Sequence, residues 1–507
     1  MKASERIKSD LATYFSKNGI TDAEKSIVKL KGLLHQSVLE AEGLTQESEL
    51  VKAWTALQLQ EGLPFRYDVK TNSIYNIDTV VEFKTKRFLY NIITTSVLNK
   101  TGCFAITGSR RVGKTILLKQ LYNDNMSSSE FLDCSVRYPM NFNEYYNTII
   151  QAGKKYVFID EVCKLTDNHC EFVSATKAAA SKLCIIITGS TSFVIEDMCE
   201  DIGRGEIYTL PPFMYIETLS WQKDATLNDV MQYVSNESFI TYLKSQFMSN
   251  MELIDYMRGV VHDTIASYRN HSTLEGEISL STKELDKCLI YISVCQLLYR
   301  RSTDNQFIDM PNIGPVVKEC LRSKDIFSVT ERLGLKNNTI ETVLDILCSC
   351  NLAKKIRVLK DTHNTSIDAF LFEYPWYVSY CLSPSIQDSE ILLDLWVEYY
   401  ILMKAYYVYS DIAKFRTGAQ EEIDVLYRIN GWLGLEIKNR PDTNLTRKYK
   451  AKLQELSNTY SISDIFISNK SCNAKIAASL ELEYIRLLNE GLTYSTFNIQ
   501  DLLNKYF

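Results

Sequence analysis

Gly108-Ser109-Arg110-Arg111-Val112-Gly113-Lys114-Thr115 fits the pattern G-x-x-x-x-G-K-[ST] at every fixed position. This pattern constrains the fold because it works in one setting only, a loop that leaves a β-strand and opens a helix. The apolar run Cys103–Thr107 precedes it and the helical stretch Ile116–Tyr122 follows it. Glycine lets the backbone curl so that successive N–H groups point at phosphate oxygens, beside a helix N-terminus that favours negative charge. Gly108, Ser109, Arg110, Arg111, Val112 and Gly113 are expected to form this cradle. Lys114 is expected to reach the β- and γ-phosphates and Thr115 to ligate Mg²⁺, so the expected cofactors are ATP and Mg²⁺. The competing reading is a glycine turn that only starts a helix.

A second element belongs with the first. Lys155-Tyr156-Val157-Phe158-Ile159-Asp160-Glu161 reads as an apolar strand ending in two carboxylates. Asp160 is expected to hold Mg²⁺ through water, and Glu161 to polarise the attacking water as a general base. The next apolar run, Cys184–Thr188, ends in Gly189-Ser190-Thr191-Ser192. Ser190 either senses the γ-phosphate or orients water, or it caps the following helix, and both readings stay open. Arg204, between Gly203 and Gly205, is read as an arginine finger, a sensor or a solvated turn residue.

Short apolar runs alternate with helical stretches over residues 81–220, the pattern of a parallel sheet covered by helices. Elsewhere helix is expected to dominate, because only 19 glycines and 9 prolines occur in 507 residues. That scarcity makes clustering informative. Nine of the 19 glycines lie in three windows, Gly102–Gly113, Gly189–Gly205 and Gly418–Gly434. Residues 1–80 are expected to be a helical extension, with an apolar stripe at Ile27, Leu30, Leu33, Leu34 and Val38. Residues 221–290 are expected to be a helical lid region. From 291 to 382 the order helix, turn at Gly334, helix, strand outlines a winged helix. Its second helix, Asn337–Cys348, carries Glu341 and Asp345 and no Lys or Arg, so a structural or protein-contact role is expected for it. After a polar linker at 383–390 come a helix, Ile391–Tyr409, and two apolar runs, Ile423–Ile429 and Trp432–Ile437.

The last two runs carry a second carboxylate cluster. Asp424, then Glu436 and Lys438, gives D-x11-E-x-K on adjacent strands. Glu436 and Lys438, two apart on a strand, face the same side, and the first strand brings Asp424 beside them. Two carboxylates bind Mg²⁺ or Mn²⁺, and an adjacent lysine activates water or offsets phosphate charge. Lys438, Arg440, Arg447, Lys448, Lys450 and Lys452 add a basic stretch, either a track for a phosphate backbone or a solvated helix face.

The order of these motifs resembles that of a known family. Arg110-Arg111-Val112-Gly113-Lys114-Thr115, Phe158-Ile159-Asp160-Glu161-Val162, Ile187-Thr188-Gly189-Ser190, Gly203-Arg204 and Leu210-Pro211-Pro212-Phe213-Met214-Tyr215-Ile216-Glu217 follow one another as in a prokaryotic and archaeal AAA-type ATPase family. The resemblance spans roughly residues 81–470 and is strongest over 84–217. It implies a multidomain α/β chain: a P-loop parallel-sheet ATPase of AAA type (81–220), the helical and winged-helix regions, and a restriction-endonuclease-like α/β domain at 383–507. Phe372-Glu373-Tyr374-Pro375-Trp376 resembles the strand that follows the family's winged helix. The 424–438 segment resembles PD-(D/E)XK nucleases, and Glu398 then matches the extra acidic residue, a metal ligand, that many of them carry.

Two function classes follow: an ATPase whose switching drives a nuclease-like domain that binds or cleaves DNA, and a nucleotide-gated signalling or assembly switch whose C-terminal domain only binds. A net charge of −6 gives no global basic field, so any nucleic-acid contact must be local. The 13 cysteines form no CxxC pair and mostly sit in apolar runs, so they are expected to be reduced core residues of a cytoplasmic protein. No apolar segment follows the charged N-terminus, and the longest, Cys288 to Tyr299, is about a dozen residues against roughly 20 for a membrane span. No membrane association is expected. An oligomer is compatible with the family, with Arg204 acting within one subunit or between two.

Overall fold

A computed structural model describes residues 65–68, 73–76, 85–247, 287, 333–360, 366–372, 390–416, 422–438 and 447–499, apart from short gaps at 110–111, 136–137, 140, 166–167, 190, 204, 228, 336 and 350. The described residues fall into two compact units. The first takes those of 1–107, 113–189 and 194–208; the second takes those of 108–112, 190–193 and 209–507.

The expected helical extension is corrected at its C-terminal end. Phe65–Asp68 (β1) and Ser73–Asn76 (β2) pair antiparallel, Phe65 opposite Asn76 and Asp68 opposite Ser73. In β1 Phe65 and Tyr67 alternate with Arg66 and Asp68, a period of two rather than 3.6. The expected stripe at 23–42 lies outside the described residues.

The first unit is built on a sheet of β3 (Gly102–Thr107), β4 (Ser129–Asp133), β5 (Tyr156–Asp160), β6 (Cys184–Thr188) and β7 (Ile207–Thr209), in the spatial order β4-β5-β6-β3-β7. The β4–β5, β5–β6 and β3–β6 pairs are parallel. All six residues of β3 and all five of β6 are buried. That two-faced burial explains why these strands read as unbroken apolar runs. The connections are helical: α1 (Phe88–Ile92) precedes the sheet, α2 (Lys114–Asp124) leaves β3, α3 (Phe142–Gln151) joins β4 to β5, α4 (His169–Ala179) joins β5 to β6, and α5 (Ser192–Ile202) follows β6. The main core packs α3 and α4 on the sheet, with Phe142, Tyr146, Phe172, Ile159 and Ile187 among its buried members. Asn141 caps α3 by accepting from the Glu144 backbone N–H at 3.1 Å.

The strand order matters for chemistry. The chain leaves β3 for the far edge of the sheet and works back toward it. The turn that follows β3 is therefore a topological switch point, where α/β sheets open a crevice at their carboxyl ends. β6 sits between β3 and β5, so its tip lies between the phosphate-loop strand and the Asp160 strand.

The second unit carries α6 (Tyr215–Lys223), α7 (Asn236–Phe247) and α8 (Asn337–Ser349), then β8 (Ala353–Lys360), β9 (Ser366–Phe372), α9 (Glu390–Val408), β10 (Ile412–Arg416), β11 (Glu422–Arg428), β12 (Trp432–Glu436), α10 (Arg447–Tyr460), β13 (Ile462–Ile467) and α11 (Lys470–Glu490). Its strands form one mixed sheet in the order β13-β12-β11-β10-β8-β9. The expected boundary at 382/383 therefore falls between hydrogen-bonded strands. The β8–β9 hairpin, read as part of a winged helix, pairs through β8 in parallel with β10, Ala413 opposite Arg357 and Arg416 opposite Lys360. Much of the expected lid region, 248–286, lies outside the described residues.

Eight cysteines are described and all are free thiols. Cys170 corrects the expectation of core residues, since it is exposed on α4. Among the described residues no helix is long and apolar enough to cross a membrane.

Candidate nucleotide site and second carboxylate cluster

The loop after β3 needs glycine at both ends. Gly108 has φ +140° and Gly113 has φ +99°, both in the region that side chains disfavour. A Cβ on Gly108 would also sit 2.3 Å from the Leu210 carbonyl oxygen. Within the loop Ser109 and Val112 are buried, while Arg110 and Arg111 lie outside the described residues. Gly113 occupies the cap position of α2, and Lys114, the first residue of that helix, is buried to 7% exposure. An ammonium at a helix N-terminus opposes the helix dipole. This placement costs free energy unless an anion lies nearby, which is the electrostatic setting of a phosphate site.

Asp160 ends β5 at 2% exposure and is hydrogen-bonded by the Thr115 side chain. Burial pushes its carboxyl up to about 6, Glu161 and Asp133 push the same way, and the Thr115 bond opposes them. Asp133 stands opposite Asp160 in the β4–β5 register. Sequence reasoning missed it, although its signal was the same: a carboxylate closing an apolar run. Glu161 has φ +53°, a left-handed conformation rare for a side-chain-bearing residue. Strain of this kind clusters at functional sites. Its backbone N–H donates to Asp160 Oδ1 at 3.0 Å, so the turn that strains Glu161 also fixes Asp160.

The residues present fit a hard cation of one kind. Among the described residues no group of three or more His, Cys, Asp or Glu is arranged to hold a metal ion. An ion at Asp160 would take the rest of its shell from a hydroxyl, water and phosphate, the habit of Mg²⁺ rather than of a caged metal.

At the tip of β6, Ser190 lies outside the described residues, so its proposed role is not located. Two residues earlier, the Thr188 hydroxyl is fully buried and has no hydrogen-bond partner among the described residues. Such groups are rare. The sequence signal was a hydroxyl closing the run Cys-Ile-Ile-Ile-Thr. Arg204 also lies outside the described residues. Its neighbours have packing tasks: Gly203, at φ +68°, follows the end of α5, and a Cβ on Gly205 would fall 1.8 Å from the Cys103 carbonyl oxygen.

The second cluster sits in the second unit. The β11–β12 register sets Val425 opposite Leu435 and Leu426 opposite Gly434, which makes Asp424 and Glu436 the next rung. Asp424 Oδ2 accepts from the Ile437 backbone N–H at 2.7 Å, and the Lys438 ammonium hydrogen-bonds Glu436 Oε1. Asp424, Glu436 and Lys438 are thus brought together. Glu398 on α9 is fully buried and pairs instead with Lys414 of β10, at 2.5 Å. Among the described residues Glu398, Asp424 and Glu436 do not form one metal-ligand set. Lys414 was not foreseen. The β10–β11 register shifts between Ala413 and Phe415, so Asp424 and Val425 together oppose Lys414. Bulges of this kind re-aim side chains and recur next to active sites.

Residues 100–219 match the family model of an AAA domain. No curated protein matches the chain. Among solved structures, a replication initiator DnaA bound to AMPPCP and single-stranded DNA matches at 13% identity and a TM-score of 0.25, over 54% of this chain and 91% of that one. A DNA replication initiation factor matches at 13% identity and a TM-score of 0.22, over 54% and 90%. A structure titled for katanin self-assembly matches at 10% identity and a TM-score of 0.22, over 58% and 96%. The family match coincides with the parallel sheet and its loop. Over residues 100–219 this chain is thus similar to an AAA domain.

Proposed function

We propose that this protein binds ATP with Mg²⁺ at the 108–115 loop and hydrolyses it, and that this ATPase drives a C-terminal nuclease-like domain acting on nucleic-acid phosphates. The observation that carries the reading is the hydrogen bond from Thr115 to the buried Asp160, next to Glu161 held in a left-handed turn. In this reading the N–H groups of 108–113 and the Lys114 ammonium bind the β- and γ-phosphates. Thr115 and Asp160 hold Mg²⁺, which when bound neutralises charge developing on the phosphates. Glu161 takes a proton from the attacking water. The Thr188 hydroxyl, or Ser190, orients that water, and Arg204 supplies positive charge to the γ-phosphate. The proposed organisation keeps the ATPase core at 81–220, the lid at 221–290, the winged-helix region at 291–382 and the nuclease-like region at 383–507, the last two sharing one sheet.

Removing the phosphate-binding ammonium tests the ATP site. Lys114→Ala is expected to weaken nucleotide binding by ~100-fold or more in calorimetry, and Glu161→Gln to bind normally while turnover falls ~100-fold or more. Tight binding by Lys114→Ala, or unchanged turnover in Glu161→Gln, would refute these roles.

For the C-terminal domain, Asp424, Glu436 and Lys438 are proposed to act on a phosphodiester with Mg²⁺ or Mn²⁺, with Glu398 held behind them by Lys414. The assay is incubation with plasmid and single-stranded DNA, either metal, with and without ATP. Cleavage by the wild type and loss in Lys438→Ala is the expected pattern. No cleavage in any condition would favour the second reading, a nucleotide-gated switch whose C-terminal domain only binds. The satisfied ion pairs of that cluster are the observation on its side.

A further inference from the structure

The segment that follows β7 is held at several atoms by α7 and α11. Thr209 O accepts from the Tyr484 hydroxyl at 2.7 Å, and Phe213 O from the Tyr242 hydroxyl at 2.5 Å. The first two N–H groups of α6 point at one carboxylate: Tyr215 N donates to Glu481 Oε1 at 3.0 Å and Ile216 N to Glu481 Oε2 at 2.9 Å. Glu481 is fully buried in the middle of α11. It also accepts from the Tyr400 hydroxyl, and Lys404 lies 3.7 Å away. A buried carboxylate is costly unless paired. Here a helix N-terminus, a hydroxyl and an ammonium all offset that cost, so the carboxylate and α6 hold each other in one geometry.

This clamped segment touches the phosphate loop, because Leu210 O is the atom that forbids a side chain at Gly108. The other end of α11 touches the second cluster. Asn473 Nδ2 donates to Lys438 O at 3.2 Å. Just before the helix, Ser468 Oγ accepts from Lys438 N at 3.3 Å, and Ser468 N donates to Glu436 O at 2.9 Å. Asn473 and Glu481 are about two turns apart, ~12 Å along one helix. Between them Ala474, Ile476, Ala477, Ala478 and Leu480 are fully buried, so the helix is packed as a rigid strut.

We propose that α11 couples the two sites: nucleotide at the 108–115 loop acts through Leu210 and the Glu481 clamp to set the geometry of Glu436 and Lys438. The proposal rests on the nucleotide reading of that loop. Coupling of this kind is reciprocal, so whatever binds at Glu436 and Lys438 shifts nucleotide affinity by the same factor.

Amide hydrogen exchange on the full chain tests it, with and without a non-hydrolysable ATP analogue and Mg²⁺, alongside calorimetry. The expected result is an exchange change of ~5-fold or more in peptides covering 432–438 and 470–484, absent in Lys114→Ala. Glu481→Gln and Tyr484→Phe should still bind nucleotide, with the remote change reduced in both; Tyr484→Phe is the milder variant should Glu481→Gln not fold. If calorimetry shows binding and the 108–115 peptides respond while 432–438 and 470–484 do not, the coupling is overturned and the nucleotide site stands. An undiminished remote response in both variants overturns the route through Glu481. Absence of binding in the wild type overturns the nucleotide reading, and the coupling with it.

Discussion

Asp160 shows how one residue reports on its surroundings. Its carboxyl titrates near 6 instead of 3.8, with burial as the first cause. The folded state therefore binds a proton more tightly than the unfolded state. The stability this confers is complete below about pH 4 and is lost as pH rises through about 6. The difference corresponds to about 3 kcal/mol. Asp160→Asn, which removes the charge and keeps the shape, should raise the stability of nucleotide-free, chelator-treated protein at pH 7.5 by about that amount. At pH 4 the gain should nearly vanish. Denaturant titrations at the two pH values measure both, and an equal gain at each would show that ionisation is not the cause. At this scale the sequence told much. Lys114, Thr115, Asp160 and Glu161 were legible because a loop closed by its own glycines and a strand closed by its own carboxylates are local patterns. Asp133 and Thr188 close apolar runs by the same local pattern, but only the fold sets them beside Asp160 and the phosphate-loop strand, and Lys414 had no local signal at all.

Among the elements, the six-stranded sheet departs most from the sequence reading. β8 was legible as a strand, but neither its hairpin with β9 nor its pairing with β10 was, because no local pattern records which strand lies alongside. The pairing has a practical outcome. A fragment starting at residue 383 lacks β8 and uncovers the β10 edge, with its row of unpaired N–H and C=O groups, whereas one starting at 337 keeps it paired. The shorter fragment should aggregate at micromolar concentration, and light scattering after refolding should separate the two. Equal solubility would mean that the hairpin does not protect that edge. The β1–β2 hairpin was missed for a different reason: its strands are four residues each, too short for periodicity to stand out.

For the whole molecule, composition correctly anticipated abundant helix, and motif order anticipated an AAA-type P-loop domain. The long-range links escaped it. Glu481 gives no sign in the sequence of meeting Tyr215, 266 residues away. If the loop binds nucleotide as proposed, ligand at 100 times its Kd should stabilise the folded protein by about 2.7 kcal/mol. The resulting rise in Tm should be absent in Lys114→Ala. A rise of similar size in that variant would place the bound nucleotide elsewhere.

The strand order sets a timetable as well as a site. β3 emerges from the ribosome before any other strand of its sheet, yet its partner β6 is synthesised about 80 residues later and β7 later still. At ~5–20 residues per second, an apolar strand waits several seconds before its first neighbour exists. The phosphate loop cannot take shape until then. If the loop binds nucleotide as proposed, then in a growing chain nucleotide can act only on a sheet already closed, as a late seal on folding rather than a seed for it.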